Sequence, residues 1–150
     1  MLTSTNIAKF ERFFRLAAGL DIDKKDLDRL AEFVNATIRN LIVRAEAIAK
    51  ANTRNVIEPY DLPVPRGLQD RVNEFRKLDE ALGLEAEFDR LVKRPPTDLD
   101  YSEDTERKLV SVAGGLSLAL ARSFKVIDPE VKNPSSRHWE QAYALYDLVL

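Results

Sequence analysis

The sequence predicts an all-α protein, because helical periodicity dominates most of its length. Apolar residues recur at steps of three and four along successive segments, which places them on one face of a helix. Gly, Pro and Asp residues interrupt the pattern at short intervals, as they do where helices begin and end. The helices follow the order short, long, short, and the second half of the chain repeats this order. We therefore expect one helical domain over residues 1–150, built from two similar halves.

Length and composition exclude several classes of protein. A chain of 150 residues is the size of one compact domain. The absence of cysteine rules out disulfides and thiolate chemistry, and it fits a reducing cytoplasm. No stretch approaches the roughly 18–20 apolar residues of a membrane span, and the N-terminal residues lack the apolar block of a secretory signal. The expectation is a cytoplasmic protein that does not associate with membranes.

The charge of the chain argues against a protein that coats nucleic acid, but it is unevenly distributed. The chain carries 23 basic and 25 acidic residues, a net charge of −2, whereas such proteins are usually strongly basic. Residues 1–60 carry 10 basic and 8 acidic groups, residues 61–100 carry 7 and 10, and residues 101–150 carry 6 and 7. The first sixty residues are therefore the best candidate for contact with an anionic partner.

The first two helices are the most clearly marked. A short helix ends at Gly19, and its apolar face is formed by Phe10, Phe13, Phe14 and Ala17. Asp23 or Asp26 can cap the long helix that follows. The apolar face of this long helix consists of Leu27, Leu30, Val34, Ile38, Leu41, Ala45 and Ile48. Further apolar side chains widen the face, so we expect other helices to pack on it from two sides.

The stretch TRNVIEPYDLP, which begins at residue 53, breaks the helical pattern. Val56 and Ile57 are β-branched and favour an extended link. Asp61 is placed to cap a third helix over residues 65–78. Arg54 and Asp61 are too far apart to be neighbours on a continuous helix, but they meet if the chain between them forms a tight turn.

The second half predicts a short helix over residues 78–92, a long helix over residues 106–127 and a closing helix at the C-terminus. Ser102 can cap the long helix, whose apolar face consists of Leu109, Val112, Leu116, Leu120 and Phe124. Gly114 and Gly115 lie in its middle, where each costs about 1 kcal/mol of helix stability relative to Ala. Two consecutive glycines there predict that another backbone packs very closely.

In this order of helices the chain resembles the histone fold. Residues 54–62 resemble the second loop of that family, which has the motif Arg-x-Thr-Val-x-x-x-Asp-Ile/Leu. Arg54 and Asp61 fall on its paired Arg and Asp, which clamp the loop to the start of the third helix. Ile57 falls on its apolar residue, whereas Val56 replaces its Thr and removes a hydroxyl that would donate to phosphate. The chain is similar to the small group of bacterial histone-fold proteins of unknown function that carry two such folds in one chain.

The resemblance implies an intramolecular pseudo-dimer. The long helix of each histone fold must cross a partner, and a chain with two copies supplies its own. Residues 7–78 carry the first fold, and residues 79–150 carry a divergent second fold whose corresponding loop lacks an Arg–Asp pair at that spacing. Gly114 and Gly115 would mark the place where the two long helices cross.

The resemblance also implies a surface for duplex DNA, because histones present basic groups and helix N-termini to phosphates. The matching basic positions are Arg12, Arg15, Lys24, Lys25, Arg54, Lys93, Arg94 and Lys132. Arg54 can instead be a purely structural clamp with Asp61, and the lysines can be ordinary solvated charges. No base-reading helix is evident. The predicted binding is therefore weak, directed at the phosphate backbone and without sequence preference, as in a nucleoid-associated protein.

The alternative function is a scaffold for protein–protein interaction without DNA binding. Residues 79–106 carry ten acidic groups, which would repel a duplex if they lay on the basic face. Acidic histone-fold proteins commonly act as dimerising platforms. The apolar C-terminal sequence YALYDLVL could extend an interface with a protein partner or a second copy, although burial in the core of the chain itself is the more economical interpretation.

Catalytic and cofactor chemistry is not indicated. His138 is the sole histidine, and a structural or surface role is the more usual one for such a residue. No spacing of histidine and carboxylate suggests a metal site, and no Gly-rich phosphate loop lies between a strand and a helix. We therefore expect no enzyme activity, cofactor, metal or small-molecule substrate.

Overall fold

The computed structural model describes residues 4–150, with side chains from Asn6 onward. These residues form six α-helices and two short strands, which are α1 (Ser4–Ala18), α2 (Lys24–Ala51), β1 (Val56–Ile57), α3 (Arg66–Leu82), α4 (Glu85–Leu91), β2 (Asp100–Tyr101), α5 (Glu103–Ile127) and α6 (Ser136–Val149). A turn of 3₁₀-helix over Pro59–Asp61 follows β1. The predicted all-α class is confirmed, since the strands are limited to one pair of loops.

The helix ends follow local chemistry. Gly19 adopts a left-handed φ of 64° directly after α1, a conformation that favours glycine. At the start of α2, the carboxylates of Asp23 and Asp26 each accept from the other residue's backbone N–H at 2.9 Å. The Ser102 hydroxyl accepts from the backbone N–H of Thr105 at 3.1 Å at the start of α5. The predicted terminator of α1 and the predicted caps of α2 and α5 are confirmed.

Helix α5 lies at the centre and contacts each of the other five helices of the described chain. Its predicted apolar face is fully buried. On one side, the rings of Phe13, Phe75 and Phe88 from α1, α3 and α4 meet edge to face, with centroids 5.0–6.2 Å apart. On another side, Phe124 of α5 meets Trp139 of α6 in the same geometry at 4.9 Å. The core is thus built around this helix.

Helix α5 is long and apolar enough to cross a membrane by length and composition, contrary to the expectation that no segment is. Of its most apolar window, 61% is buried by the rest of the chain. The core helix of a soluble protein passes the same test. Packing against five helices therefore accounts for the apolar composition of α5.

The glycine pair of α5 lies against α3. A Cβ on Gly115 would lie 2.8 Å from the backbone nitrogen and 3.0 Å from the Cα of Val72. A Cβ on Gly114 would lie 2.4 Å from ring atoms of Phe75. The expectation of a closely packed backbone is confirmed. The closely packed neighbour is α3, since the nearest atoms to a Cβ on either glycine belong to that helix.

Two predicted helix boundaries are also wrong. The single helix expected over residues 78–92 is the end of α3 followed by α4, and Gly83 separates them with a left-handed φ of 63°. The division of the chain between residues 78 and 79 thus lies inside α3. Asp61 does not cap α3, which begins after Pro65. The Asp61 side chain bonds to Arg54 and closes the preceding loop.

Replacing Gly115 with alanine should destabilise the protein, although alanine favours helices. The new Cβ would meet the Val72 backbone, which cannot give way without shifting α3. Overpacking of this kind costs about 1–3 kcal/mol, against the roughly 1 kcal/mol by which alanine favours a helix over glycine. Urea unfolding followed by circular dichroism should show a lower free energy of unfolding for Gly115→Ala.

Gly67→Ala is the matched control. Gly67 also lies in a helix, and a Cβ there would meet nothing within 4 Å. This variant should keep or raise the stability of the protein. If Gly115→Ala were as stable as Gly67→Ala, the close approach of α3 to α5 would be contradicted.

Candidate nucleic-acid interface

The loops between the helices meet in two pairs. Loop pair A consists of residues 52–65 and 92–102, and loop pair B consists of residues 19–23 and 128–135. Helix α2 begins in loop pair B and ends in loop pair A, while α5 begins in loop pair A and ends in loop pair B. The two long helices therefore run in opposite directions between the same two loop pairs.

Loop pair A is joined by the parallel strands β1 and β2. Val56 lies opposite Asp100, and Ile57 lies opposite Tyr101. The hydroxyl of Thr105 donates to the carbonyl oxygen of Ile57 at 2.6 Å. Strand β1 is therefore tied to the first turn of α5 as well as to β2.

Loop pair B is joined by a backbone hydrogen bond, from the N–H of Asp21 to the carbonyl oxygen of Lys132 at 2.6 Å. Beside it, the indole N–H of Trp139 donates to the carboxylate of Asp26 at 2.8 Å. This bond links the first turn of α2 to α6. Burial raises the pKa of Asp26, although the hydrogen bonds from the Asp23 backbone and from Trp139 act in the opposite direction.

Arg54 and Asp61 form the predicted clamp in loop pair A. The Nη1 and Nη2 groups of Arg54 donate to the two carboxylate oxygens of Asp61, each at 2.6 Å, in the bidentate geometry of a strong ion pair. The Asp61 side chain is fully buried and also accepts from the backbone N–H of Glu58 at 2.8 Å. The hydrogen bonds from Arg54 hold the pKa of Asp61 below its usual value. Arg54 is therefore committed to closing the loop, with 27% of its side chain exposed.

The other two predicted basic residues of loop pair A, Lys93 and Arg94, differ in their surroundings. Arg94 contacts the carboxylates of Asp89 at 2.9 Å and Glu106 at 3.4 Å. Glu106 lies in the first turn of α5 with two further acidic residues, so carboxylates already occupy the helix end that favours anions. Lys93 is exposed and makes no ion pair with the described residues. Loop pair A thus offers a phosphate little free positive charge.

Loop pair B brings together the predicted basic residues that stay available. Lys24 and Lys25 lie in the first turn of α2, and Lys132 lies in the facing loop. All three side chains are exposed and form no ion pair within the described part of the chain. Arg15 belongs to the same end, because its guanidinium contacts Asp21 at 3.4 Å.

Three arginines extend this basic surface, and sequence analysis missed two of them. Arg12, which was predicted, is exposed on α1. Arg29 lies one turn after Lys25 on α2 and donates to the hydroxyl of Ser136 at 2.8 Å. Arg137 is exposed in the first turn of α6. The i, i+4 spacing of Lys25 and Arg29 was a sequence signal for the first of these two, whereas only the fold brings Arg137 to this end.

Most acidic residues of loop pair B have structural partners, although Glu130 is exposed and makes no ion pair with the described residues. Besides the carboxylates that cap α2, Asp128 accepts from Nε2 of His138 at 3.0 Å. The Nδ1 atom of His138 accepts from the backbone N–H of Ser135 at 2.9 Å. The hydrogen bond from His138 lowers the pKa of Asp128. This pair closes the second-half loop as the Arg54–Asp61 clamp closes the first-half loop.

The described residues contain no group of three or more His, Cys, Asp or Glu side chains positioned to hold a metal ion. The chemistry at the two loop pairs is that of hydrogen bonds and ion pairs. Loop pair A uses most of its charged groups internally and has one exposed lysine, Lys93, without an ion pair among the described residues, whereas loop pair B has three such lysines.

Arg54→Ala should destabilise the protein, because it leaves the buried carboxylate of Asp61 without its cation. An unpaired buried polar group costs about 1–3 kcal/mol, and Asp61 is fully buried. Chemical unfolding should show a decrease of this size. The exposed Arg66, whose partner Asp70 is 44% exposed, provides the control Arg66→Ala, which should change stability by less than about 1 kcal/mol. If Arg54→Ala were as stable as Arg66→Ala, the Arg54–Asp61 clamp would be contradicted.

The clamp also predicts how stability depends on pH. Because Arg54 lowers the pKa of Asp61 below its usual value, the clamp stabilises the fold fully above that usual value and loses this contribution as pH falls through the folded-state pKa. The stability difference between the wild type and Arg54→Ala should therefore shrink as pH falls from about 5 to about 2. If the stability difference between the two proteins stayed constant across that pH range, Arg54 would not hold the Asp61 carboxylate.

The sequence matches a protein family over most of its length. Residues 10–147 match the family described as a domain of unknown function, DUF1931. An uncharacterised protein of Aquifex aeolicus (strain VF5) is 26% identical over 149 residues, which cover 99% of this chain and 86% of the relative. A second uncharacterised protein of that organism is 28% identical over 139 residues, which cover 84% of this chain and 81% of the relative.

Solved structures share the fold. The crystal structure of ttk003001566 from Thermus thermophilus has a TM-score of 0.85 at 44% identity, covering 96% of this chain and 97% of that one. The crystal structure of protein AQ328 from Aquifex aeolicus has a TM-score of 0.86 at 25% identity, and the match covers 100% of this chain and 99% of that one. Since the family match extends over residues 10–147 and the shared fold over nearly the whole chain, the protein belongs to the DUF1931 family.

Proposed function

We propose that this protein is histone-like, with a pair of histone folds in one chain, and that it binds duplex DNA weakly through loop pair B. Binding is directed at phosphate groups and has no sequence preference. The protein acts on the nucleoid in the cytoplasm, without a cofactor or a catalytic step.

The reciprocal arrangement of the loops supports the paired histone folds. Such a pair needs the second loop of each half to lie beside the first loop of the other half. In loop pair A, the loop after α2 lies beside the loop before α5; in loop pair B, the loop after α5 lies beside the loop before α2. The bidentate Arg54–Asp61 pair adds support, since it closes the loop in which the histone motif has its clamp.

The group of unpaired lysines at loop pair B carries the DNA-binding proposal. Lys24 and Lys25 extend from the first turn of α2, where the carboxylates of Asp23 and Asp26 already cap the helix, so the attraction for phosphate comes from the lysine side chains. Lys132 extends from the facing loop, so both loops can contact one DNA backbone. Asp23 and Asp26 do not neutralise these lysines by ion pairs, because their carboxylates cap α2.

The salt dependence of binding tests this proposal. About three to four phosphate contacts predict a slope near −3 for log K against log salt, and a loss of about 40–150-fold in affinity between roughly 50 and 200 mM salt. Fluorescence anisotropy of a labelled duplex measures both quantities. Undetectable binding at the lower salt concentration, or affinity independent of salt, would contradict phosphate-directed binding.

Charge reversal locates the contact. Lys24→Glu combined with Lys25→Glu should weaken binding by at least about tenfold, because two attractive phosphate contacts become repulsive. The matched control, Lys77→Glu combined with Lys93→Glu, makes the same charge change at two exposed lysines outside loop pair B that form no ion pair with described residues. It should weaken binding only slightly. An equal loss in both double variants would mean that binding is not localised at loop pair B.

A second candidate function, a self-associating scaffold, is favoured by an exposed apolar surface on α5 and α6. Val126, Leu148 and Val149 are 81%, 81% and 73% exposed. Val126 and Val149 line a groove of about 430 Å³ between α3, α5 and α6, together with Arg122. Exposed apolar surface of this kind often marks an interaction site. Arg122 is already paired with Glu74 at 2.6 Å, so it is the apolar side chains that a second copy would cover across a two-fold axis.

Leu148→Lys tests the scaffold. Sedimentation equilibrium should show concentration-dependent association of the wild type and its loss in the variant, because the new charge would have to be desolvated in the interface. Leu16→Lys is the control, since Leu16 is a 58% exposed apolar residue on α1. A monomeric wild type at every concentration would contradict self-association.

A further inference from the structure

A cleft between α3 and α5, beside loop pair A, contains two positively charged side chains that lack an acidic partner. It has a volume of about 490 Å³, and Arg76 of α3 and Lys108 of α5 line it. Pro59, Phe75 and Val110 add apolar surface to its walls. A cleft with an apolar wall and convergent polar groups has the general character of a small-ligand site.

The described contacts of both cations are with neutral groups. The Nε–H of Arg76 points at the hydroxyl of Ser111 at 3.5 Å, and Nζ of Lys108 donates to the side-chain oxygen of Gln69 at 2.9 Å. Burial, and then the charge of Arg76, lowers the pKa of Lys108. The two like charges therefore repel each other, and an anion between them would stabilise both.

Arg76 differs from the other two arginines of its helix because it has no carboxylate partner among the described residues. Arg71, which precedes it on α3, contacts Glu74 at 2.8 Å in an i, i+3 pair. Glu80 lies four residues after Arg76, a spacing at which ion pairs form on helices. Arg76 nevertheless turns towards Ser111 on α5, which places its charge in the cleft.

A phosphate group suits this set of donors. The guanidinium of an arginine presents a planar fork of N–H groups, a lysine supplies a compact charge, and a serine hydroxyl adds a third donor. We propose that the cleft binds the phosphate group of a small phosphorylated molecule through Arg76, Lys108 and Ser111. The apolar wall then contacts the organic part of that molecule.

Acidic residues in the same cleft favour a small molecule over a nucleic acid. Asp79, Glu85 and Asp104 also line it. Their charges repel a polyanionic duplex. Asp104 pairs with Arg107, and Asp79 accepts from the backbone N–H of Leu84 at 2.6 Å, whereas the exposed Glu85 can accept hydrogen bonds from hydroxyl groups of a small ligand. The site is thus separate from the DNA contact proposed for loop pair B, and each can fail without the other.

Two-dimensional NMR of the full chain tests this site with inorganic phosphate and glucose 6-phosphate at constant ionic strength. Backbone amides of residues 76, 108 and 111 should shift saturably with both probes, and more tightly with the monoester. Arg76→Gln and Lys108→Gln should each weaken binding by about tenfold or more, as expected for loss of a charged hydrogen bond. The Lys108 pKa, followed through its side-chain carbon signal, should rise when phosphate binds.

Lys77→Gln is the matched control, because Lys77 is the exposed neighbour of Arg76 on the same helix. It should bind the probes as the wild type does. The proposal would be overturned by shifts that do not saturate, by an equal loss of binding in Lys77→Gln, or by a Lys108 pKa that phosphate leaves unchanged. Shifts of the same amides with duplex DNA but with neither small probe would assign the cleft to nucleic acid and also overturn it.

Discussion

The fold depends on burying most of α5. Five helices contact it, and two glycines allow the backbone of α3 to come close to its own at Val72. Because α2 and α5 run in opposite directions between the two loop pairs, their lengths of roughly 40 Å set the separation of those loops. The packing that stabilises the core thereby positions the surfaces on which the proposed functions rest.

The two loop pairs are built alike but differ in electrostatic character. Each joins two chain segments through backbone hydrogen bonding and closes one of its loops with a hydrogen-bonded side-chain pair, Arg54–Asp61 in loop pair A and Asp128–His138 in loop pair B. In loop pair A the cations mainly stabilise the fold, and carboxylates occupy the N-terminal turn of α5. In loop pair B several lysines have no carboxylate partner among the described residues. This asymmetry restricts the proposed DNA contact to one end of the molecule.

Much of the local structure could be predicted from the sequence, because helix periodicity, caps and the Arg54–Asp61 spacing depend on nearby residues. The partner of Gly114 and Gly115 could not, since a glycine pair indicates a close neighbour without saying which helix supplies it. Whether a given basic residue forms an ion pair could not be predicted either. Arg94 and Lys24 have similar sequence surroundings, yet only Arg94 contacts carboxylates, which the fold places beside it. Arg137 reaches loop pair B only through the packing of α6.

The central claim is that duplex DNA contacts loop pair B and not loop pair A. Hydrogen exchange of the intact protein, measured by mass spectrometry with and without a duplex at low salt, tests it most directly. Our account predicts that DNA slows exchange in residues 19–29 and 128–137, and leaves residues 92–107 unchanged. Slower exchange in residues 92–107, or none anywhere while DNA is bound, would contradict it.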